Sequence, residues 1–254
     1  GGRQDILDQA SEELAILTSY LPQQFQDAEE IFTAIRAHLK HCQFTLGPEV
    51  ERFEQQFAAL IGSRFAIGVG SGTDALTLSL RALGIGIGDE VITAANTFIA
   101  TVGAINAAGA APVLVDVRSD ATINPDRIAR VITSKTKAII PVHLTGDVAD
   151  MDPIVELARR HKLLVIEDAC QAIGAAYRGR SAGTIGIAGT FSLHPLKNLN
   201  VWGDAGVIVT NDEKLRDQLR LLRNHGLKNR DEVEVLGYNS RLDSIQAIVG
   251  SWLL

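Results

Sequence analysis

From Phe65 onward the chain alternates between short runs that are apolar throughout and longer segments with apolar residues at helical spacing. The strand-like runs are Phe65–Val69, Glu90–Thr93, Ala111–Val115, Ala138–Val142, Leu163–Ile166, Ala188–Leu193 and Gly206–Thr210. Between most of them lie predicted helices: Thr73–Leu83, Ile99–Ala108, Asp126–Val131, Pro153–His161 and Asp212–Leu222. Continuous Val/Ile/Leu runs separated by helices predict a mostly parallel seven-stranded sheet covered on both faces, an α/β fold in three layers (α/β/α). The last two runs are joined by a loop without helical pattern, which predicts one antiparallel pairing near the end of the sheet. Before Phe65 the pattern is helical: Ile6–Leu17, closed by Pro22, then Gln26–Lys40, then Glu49–Leu60 after the Gly47-Pro48 break. Residues 1–43 are therefore expected to be an N-terminal helical extension and residues 44–254 the main domain.

Open parallel sheets bind ligands at the carboxyl ends of their strands, and the polar residues of this chain fall there. Ser71 and Thr73 follow the first strand, and Asn96, Thr97 and Phe98 the second. His143 follows the fourth, Asp168 and Gln171 the fifth, and Ser192, His194 and Lys197 the sixth. The turn Ser71-Gly72-Thr73 opens a helix, where free N–H groups and the helix dipole favour a phosphate; it also reads as a plain helix cap. Asp168 ends an apolar strand, so its charge needs a positive partner or hydrogen bonds. A pyridinium N–H would serve, and so would backbone N–H groups. Lys197 sits among Leu196, Leu199, Val201 and Trp202, a setting apolar enough for a reactive amine; the alternative is a surface lysine. Phe98 is free either to stack on a ring or to join the core. A lysine, a strand-end aspartate and a phosphate cup together suit pyridoxal phosphate (PLP), with Lys197 as the Schiff-base amine.

Composition narrows the classes. The 254 residues are 46% hydrophobic and 21% charged, an ordinary globular balance. The 24 basic and 30 acidic residues give a net charge of −6 with no Lys/Arg run, which argues against nucleic acid or an acidic membrane surface as partner. Cys42 and Cys170 lack metal-ligand spacing, and His143, His161 and His194 form no ligand set, so no metal is expected. Reduced cysteines and the lack of a signal or membrane-length apolar run lead to the expectation of a cytoplasmic protein. The chain opens on Gly1-Gly2 and closes on Ser251–Leu254 within an apolar helix, as a fragment of a longer protein would.

Taken in order, SGTDAL at 71–76, NTFIAT at 96–101, HLTGDVADMDPI at 143–154, EDACQAIGA at 167–175, FSLHPLKN at 191–198 and GYNSRLDSIQA at 237–247 closely resemble the DegT/DnrJ/EryC1/StrS family of PLP-dependent sugar aminotransferases. The resemblance implies PLP fold type I, with residues 44–254 as the cofactor-binding large domain and the smaller C-terminal domain absent. It implies Lys197 as catalytic lysine, Asp168 on the pyridine nitrogen, Gln171 on the ring hydroxyl, Phe98 on the ring face, and Gly72, Thr73 and Ser192 on the phosphate. Asn239, with Arg241 a second candidate, would reach the active site of the other subunit of a homodimer. The implied reaction moves an amino group from an amino acid, L-glutamate first, to a keto-sugar, with pyridoxamine phosphate as the intermediate cofactor form, in antibiotic or surface-polysaccharide aminosugar synthesis. The alternatives are a PLP-binding regulatory homologue and a sugar dehydratase; Lys197 argues against the second. The chain departs from the family pattern at Thr145 and Asp147, where Tyr and Gln are frequent, and at Asn200-Val201-Trp202, where small and glycine residues are frequent.

Overall fold

The computed structural model describes residues 28–254; the helix expected at Ile6–Leu17 lies outside them. In chain order the helices are α1 (Ala28–Leu39), α2 (Pro48–Ile61), α3 (Gly72–Ala82), α4 (Ile99–Ala107), α5 (Pro125–Ile128), α6 (Met151–His161), α7 (Glu213–Leu222) and α8 (Ser244–Leu253). The strands are β1 (Phe65–Val69), β2 (Glu90–Ala94), β3 (Ala111–Val115), β4 (Thr136–Ile140), β5 (Leu164–Asp168), β6 (Ala176–Tyr177), β7 (Arg180–Ser181), β8 (Ala188–Ser192) and β9 (Gly206–Thr210).

Seven strands form one sheet in the order β1-β9-β8-β5-β4-β2-β3. Its strands are apolar on both faces because both faces are covered. Ile67, Val91, Ala138, Ile140, Ile166 and Ile208 pack against α3, α4 and α7. Their alternate neighbours Ala66, Val207 and Val209 pack under α2 and α8, and Ile92, Ile139 and Val165 under α5 and α6. Helix α1 lies on α8 and extends the same layer.

The structure differs from expectation in four places. β9 is antiparallel to both neighbours, β1 and β8, so there are two antiparallel pairings rather than one. β4 starts two residues early, at Thr136, and ends before Pro141, which has no N–H to donate to the ladder. The helix expected at 126–131 is the single turn α5, capped by Asn124 Oδ1 on the Asp126 N–H, after which the chain leaves helix for turns. A two-residue hairpin, β6–β7, went unread. Its turn residues Arg178 and Gly179 both have positive φ, 50° and 78°, as a tight hairpin requires.

Candidate active site

The carboxyl ends of five strands, β1, β2, β4, β5 and β8, meet at one edge of the sheet. A cavity of about 380 Å³ opens there, lined by residues that include Gly72, Thr73, Phe98, Thr101, His143, Asp168, Cys170, Gln171, Ser192, His194 and Lys197. The phosphate end is built by close packing. Ser71 caps α3, its Oγ accepting from the Asp74 N–H at 3.0 Å. The Gly72 and Thr73 N–H groups, in the first turn, have no partner within the helix. A Cβ on Gly72 would lie 2.8 Å from Ser192 Cβ and 3.0 Å from Cys170 Sγ, so only glycine lets α3 approach the end of β8. Gly206, whose Cβ would meet Ser71 O at 2.3 Å, does the same for β9.

At the opposite end stands Asp168, 6% exposed at the end of β5. Thr101 Oγ1 donates to its Oδ2 at 2.7 Å and the Cys170 N–H to its Oδ1 at 3.2 Å. Asp168 thus has protein donors and also lines the cavity. Burial pushes the Cys170 thiol up, and the Asp168 carboxylate beside it adds to the effect; the Lys197 charge opposes both. Phe98 is 65% exposed at the mouth, so it belongs to the site and not to the core.

Lys197 is half-buried on the loop between β8 and β9, its N–H donating to His194 O at 2.8 Å. Its expected apolar surroundings are only half present. Leu199 and Val201 turn down into the core, whereas Leu196 is 88% exposed and Trp202 44% exposed. Gln171 Oε1 accepts from the Thr145 N–H at 2.8 Å, which leaves the amide N–H groups of Gln171 for a ligand. Asn239 and Arg241 do not line this cavity. Asn239 is exposed, and Arg241 Nη1 donates to Asn224 Oδ1 at 2.9 Å. Between them, Ser240 ties the segment to the phosphate turn, accepting from the Gly70 N–H and donating to Asp74 Oδ2.

A family model matches residues 25–254. The chain belongs to the DegT/DnrJ/EryC1/StrS aminotransferase family. A "Pleiotropic regulatory protein" of Geobacillus stearothermophilus is 47% identical over 90% of this chain and 62% of its own length. A dTDP-3-amino-3,4,6-trideoxy-alpha-D-glucose transaminase of Streptomyces venezuelae is 48% identical over 87% of this chain and 58% of its own length. The crystal structure of ntda from Bacillus subtilis, with bound cofactor PMP, superposes with a TM-score of 0.84 at 39% identity, over 89% of this chain and 52% of that one. The chain thus spans about three fifths of the curated relatives it matches. The fold is PLP fold type I, as the motifs implied.

The donor set in the cavity fits this family's cofactor. Free N–H groups and the hydroxyls of Thr73 and Ser192 suit a phosphate; a buried carboxylate at the far end suits a ring N–H; an exposed aromatic ring suits a flat heterocycle. Sequence reasoning placed Thr97 at the end of the second strand without giving it a role, and it missed Thr101, Cys170 and Ser240. Only the i, i+4 spacing of the two threonines, on either side of Phe98, offered a signal.

Proposed function

We propose that the protein is a PLP-dependent aminotransferase that moves an amino group from an amino acid, L-glutamate first, to a keto-sugar. The carrying observation is that one cavity holds Lys197, the Asp168 carboxylate and the unpartnered N–H groups of the α3 turn together. Gly72, Thr73 and Ser192 would hold the phosphate, Phe98 the ring face, Gln171 the ring hydroxyl and Asp168 the ring nitrogen. Pyridoxal phosphate, when bound, supplies a carbonyl for amines to join and a ring that withdraws electrons from the carbon bearing the amine. Lys197 Nζ is the base: it takes the proton from the α-carbon of the donor and, in the opposite direction, returns one to the carbon of the acceptor. His143 does not compete for this role, because its Nε2 is committed to Glu167 at 2.9 Å.

The keto-sugar acceptor is supported by the Streptomyces relative, whose name specifies a dTDP-linked amino sugar. We assign the cofactor unit to residues 44–254, place Asn239, with Arg241, at the active site of a second subunit in a homodimer, and locate the protein in the cytoplasm. Among the described residues no helix is long and apolar enough to cross a membrane. A regulatory role draws on the name of the Geobacillus relative alone, and the joint presence of Lys197 and Asp168 favours turnover. The test is addition of L-glutamate to the protein with PLP. Conversion of the cofactor's visible absorbance, with 2-oxoglutarate formed in equal amount, supports the reading, and Lys197→Ala should abolish both. Steady-state transamination by Lys197→Ala would refute it.

A further inference from the structure

Three other threonine and serine hydroxyls in helices of this chain behave as expected or nearly so. Thr77 donates to Thr73 O and Ser79 to Ala75 O, each back to the carbonyl four residues earlier, while Ser244 reaches Gln43 O. Thr101, in the first turn of α4, does otherwise. Fully buried, it sends its proton to Asp168 Oδ2, 67 residues away, at 2.7 Å. Its own oxygen lies 2.7 Å from Thr97 Oγ1. A hydroxyl has one proton and a carboxylate only accepts, so Thr101 donates to Asp168 and Thr97 donates to Thr101. The alternative acceptor for Thr97, the Phe98 carbonyl, is farther at 3.3 Å. The chain Thr97 to Thr101 to Asp168 is therefore directional, and the Thr101 donor is strengthened by the bond its oxygen accepts from Thr97. The other bond to the carboxylate, from the Cys170 N–H, is long at 3.2 Å.

We infer that Thr101, with Thr97 behind it, is a positioning residue that aims the Asp168 carboxylate at the ring nitrogen of the bound cofactor. Without it, one oxygen of Asp168 keeps no strong donor and the carboxylate is free to rotate about its last torsion. Phe98, between the two threonines, is fixed by the same turn, so one segment sets both the ring face and the ring nitrogen. The inference rests on Asp168 facing that nitrogen.

A binding comparison tests it without turnover. The dissociation constants of PLP and of its carbocyclic analogue, with C–H in place of the ring nitrogen, are measured by absorbance titration for the wild type and for Thr101→Val, Thr101→Ser, Thr97→Val and Asp168→Asn. The wild type should prefer PLP, and Asp168→Asn should lose most of that preference. Thr101→Val should weaken PLP about tenfold and leave the analogue unchanged; Thr101→Ser, which keeps the hydroxyl, should stay within about twofold of wild type. Thr97→Val should show a smaller loss of about threefold, and this half-buried position carries the test if Thr101→Val does not fold. Equal weakening of both ligands by Thr101→Val would mean that Thr101 serves only packing, and the inference fails. Full preference in Thr101→Val, with loss in Asp168→Asn, would leave Asp168 standing and overturn the role of Thr101. Full preference in Asp168→Asn would remove the ring-nitrogen role and this inference with it.

Discussion

Replacing Glu167 by Gln changes one atom in a side chain that is fully buried, and its cost can be worked out from the contacts. Oε1 accepts the N–H groups of Ile185 and Gly186, both at 2.6 Å. Oε2 accepts the Gly183 N–H at 2.8 Å and the His143 Nε2–H at 2.9 Å. The proton on His143 is fixed at Nε2 because Nδ1 accepts from the Ala149 N–H at 3.3 Å. A glutamine amide has one oxygen, so either way round its NH₂ group meets two donors. Against Ile185 and Gly186 it leaves two N–H groups unpaired. Against His143 and Gly183 it orphans Gly183, and a tautomer change at His143 only moves the conflict to Ala149. Two buried donors left without acceptors cost roughly 1–3 kcal/mol each, so the expected loss is about 3–4 kcal/mol. For a chain of this size that lowers the melting temperature by about 10 °C. Urea unfolding followed by tryptophan fluorescence measures it, with Glu156→Gln on the exposed face of α6 as a control expected within about 0.5 kcal/mol. A loss below about 1 kcal/mol with an unchanged slope would refute the reasoning. The effect reaches the site, since the backbone N–H of His143 donates to the backbone carbonyl of Asp168 at 3.0 Å.

Gly72→Ala should separate α3 from β8, since its Cβ would sit 2.8 Å from Ser192 Cβ; we expect roughly 1–3 kcal/mol of destabilisation and a PLP dissociation constant raised more than about tenfold, and unchanged binding would contradict the phosphate assignment. The Tyr177 hydroxyl, and after it Arg118, holds the Asp150 carboxyl below its ordinary 3.8. A carboxyl lowered on folding stabilises the protein above its unfolded value and stops doing so as pH falls through the folded one. Tyr177→Phe should therefore cost about 1 kcal/mol at neutral pH, a difference that closes in acid below that ordinary value; a pH-independent difference in urea midpoints would count against the linkage. Burial and Asp168 keep the Cys170 thiol protonated well past neutrality, so an aromatic disulfide reagent should modify one thiol quickly at neutral pH, the exposed Cys42. Cys42→Ser should abolish the fast phase, and a surviving fast phase would show Cys170 to be reactive.

The strands were legible because a strand buried on both faces writes itself as an apolar run, as Val207-Ile208-Val209 does by sending successive side chains to opposite layers. The site was legible because the ends of such runs are where polar residues stand out, as Asp168 and Ser192 do. What stayed hidden depends on distance in space. The role of Glu167 is set by N–H groups at 183–186, and nothing in LLVIED distinguishes its buried function from an exposed acid. The hairpin β6–β7 has too few residues to show a period; it is held by Tyr177 on Asp150 and by Arg178 and Arg180 on Asp152. Of the two antiparallel pairings of β9, the one with β8 was legible in the helix-free loop at 193–205, whereas the one with β1 joins distant parts of the chain and leaves no mark in either apolar run.

That loop also explains why Asn200-Val201-Trp202 departs from a glycine-rich pattern. Trp202 has φ 60°, a left-handed conformation that glycine adopts freely and that costs other residues roughly 1–2 kcal/mol. The Trp202 ring is set against Phe32 of α1, with centroids 6.2 Å apart, and a tilted aromatic contact of this kind returns about 0.5–1.5 kcal/mol. Trp202 thus exchanges backbone ease for a tie between the Lys197 loop and α1. The rest of the loop is anchored as well: Leu193 N–H to Ala205 O at 2.8 Å, Val201 N–H to Leu193 O at 3.3 Å, and Asn198 Nδ2 to Ile173 O at 3.0 Å. Lys197 stands in the middle of these ties. Its backbone is fixed, and only its long side chain can swing. In the proposed reaction, a base that must reach two different carbons from one origin is served by that division, with a rigid tether and a mobile amine.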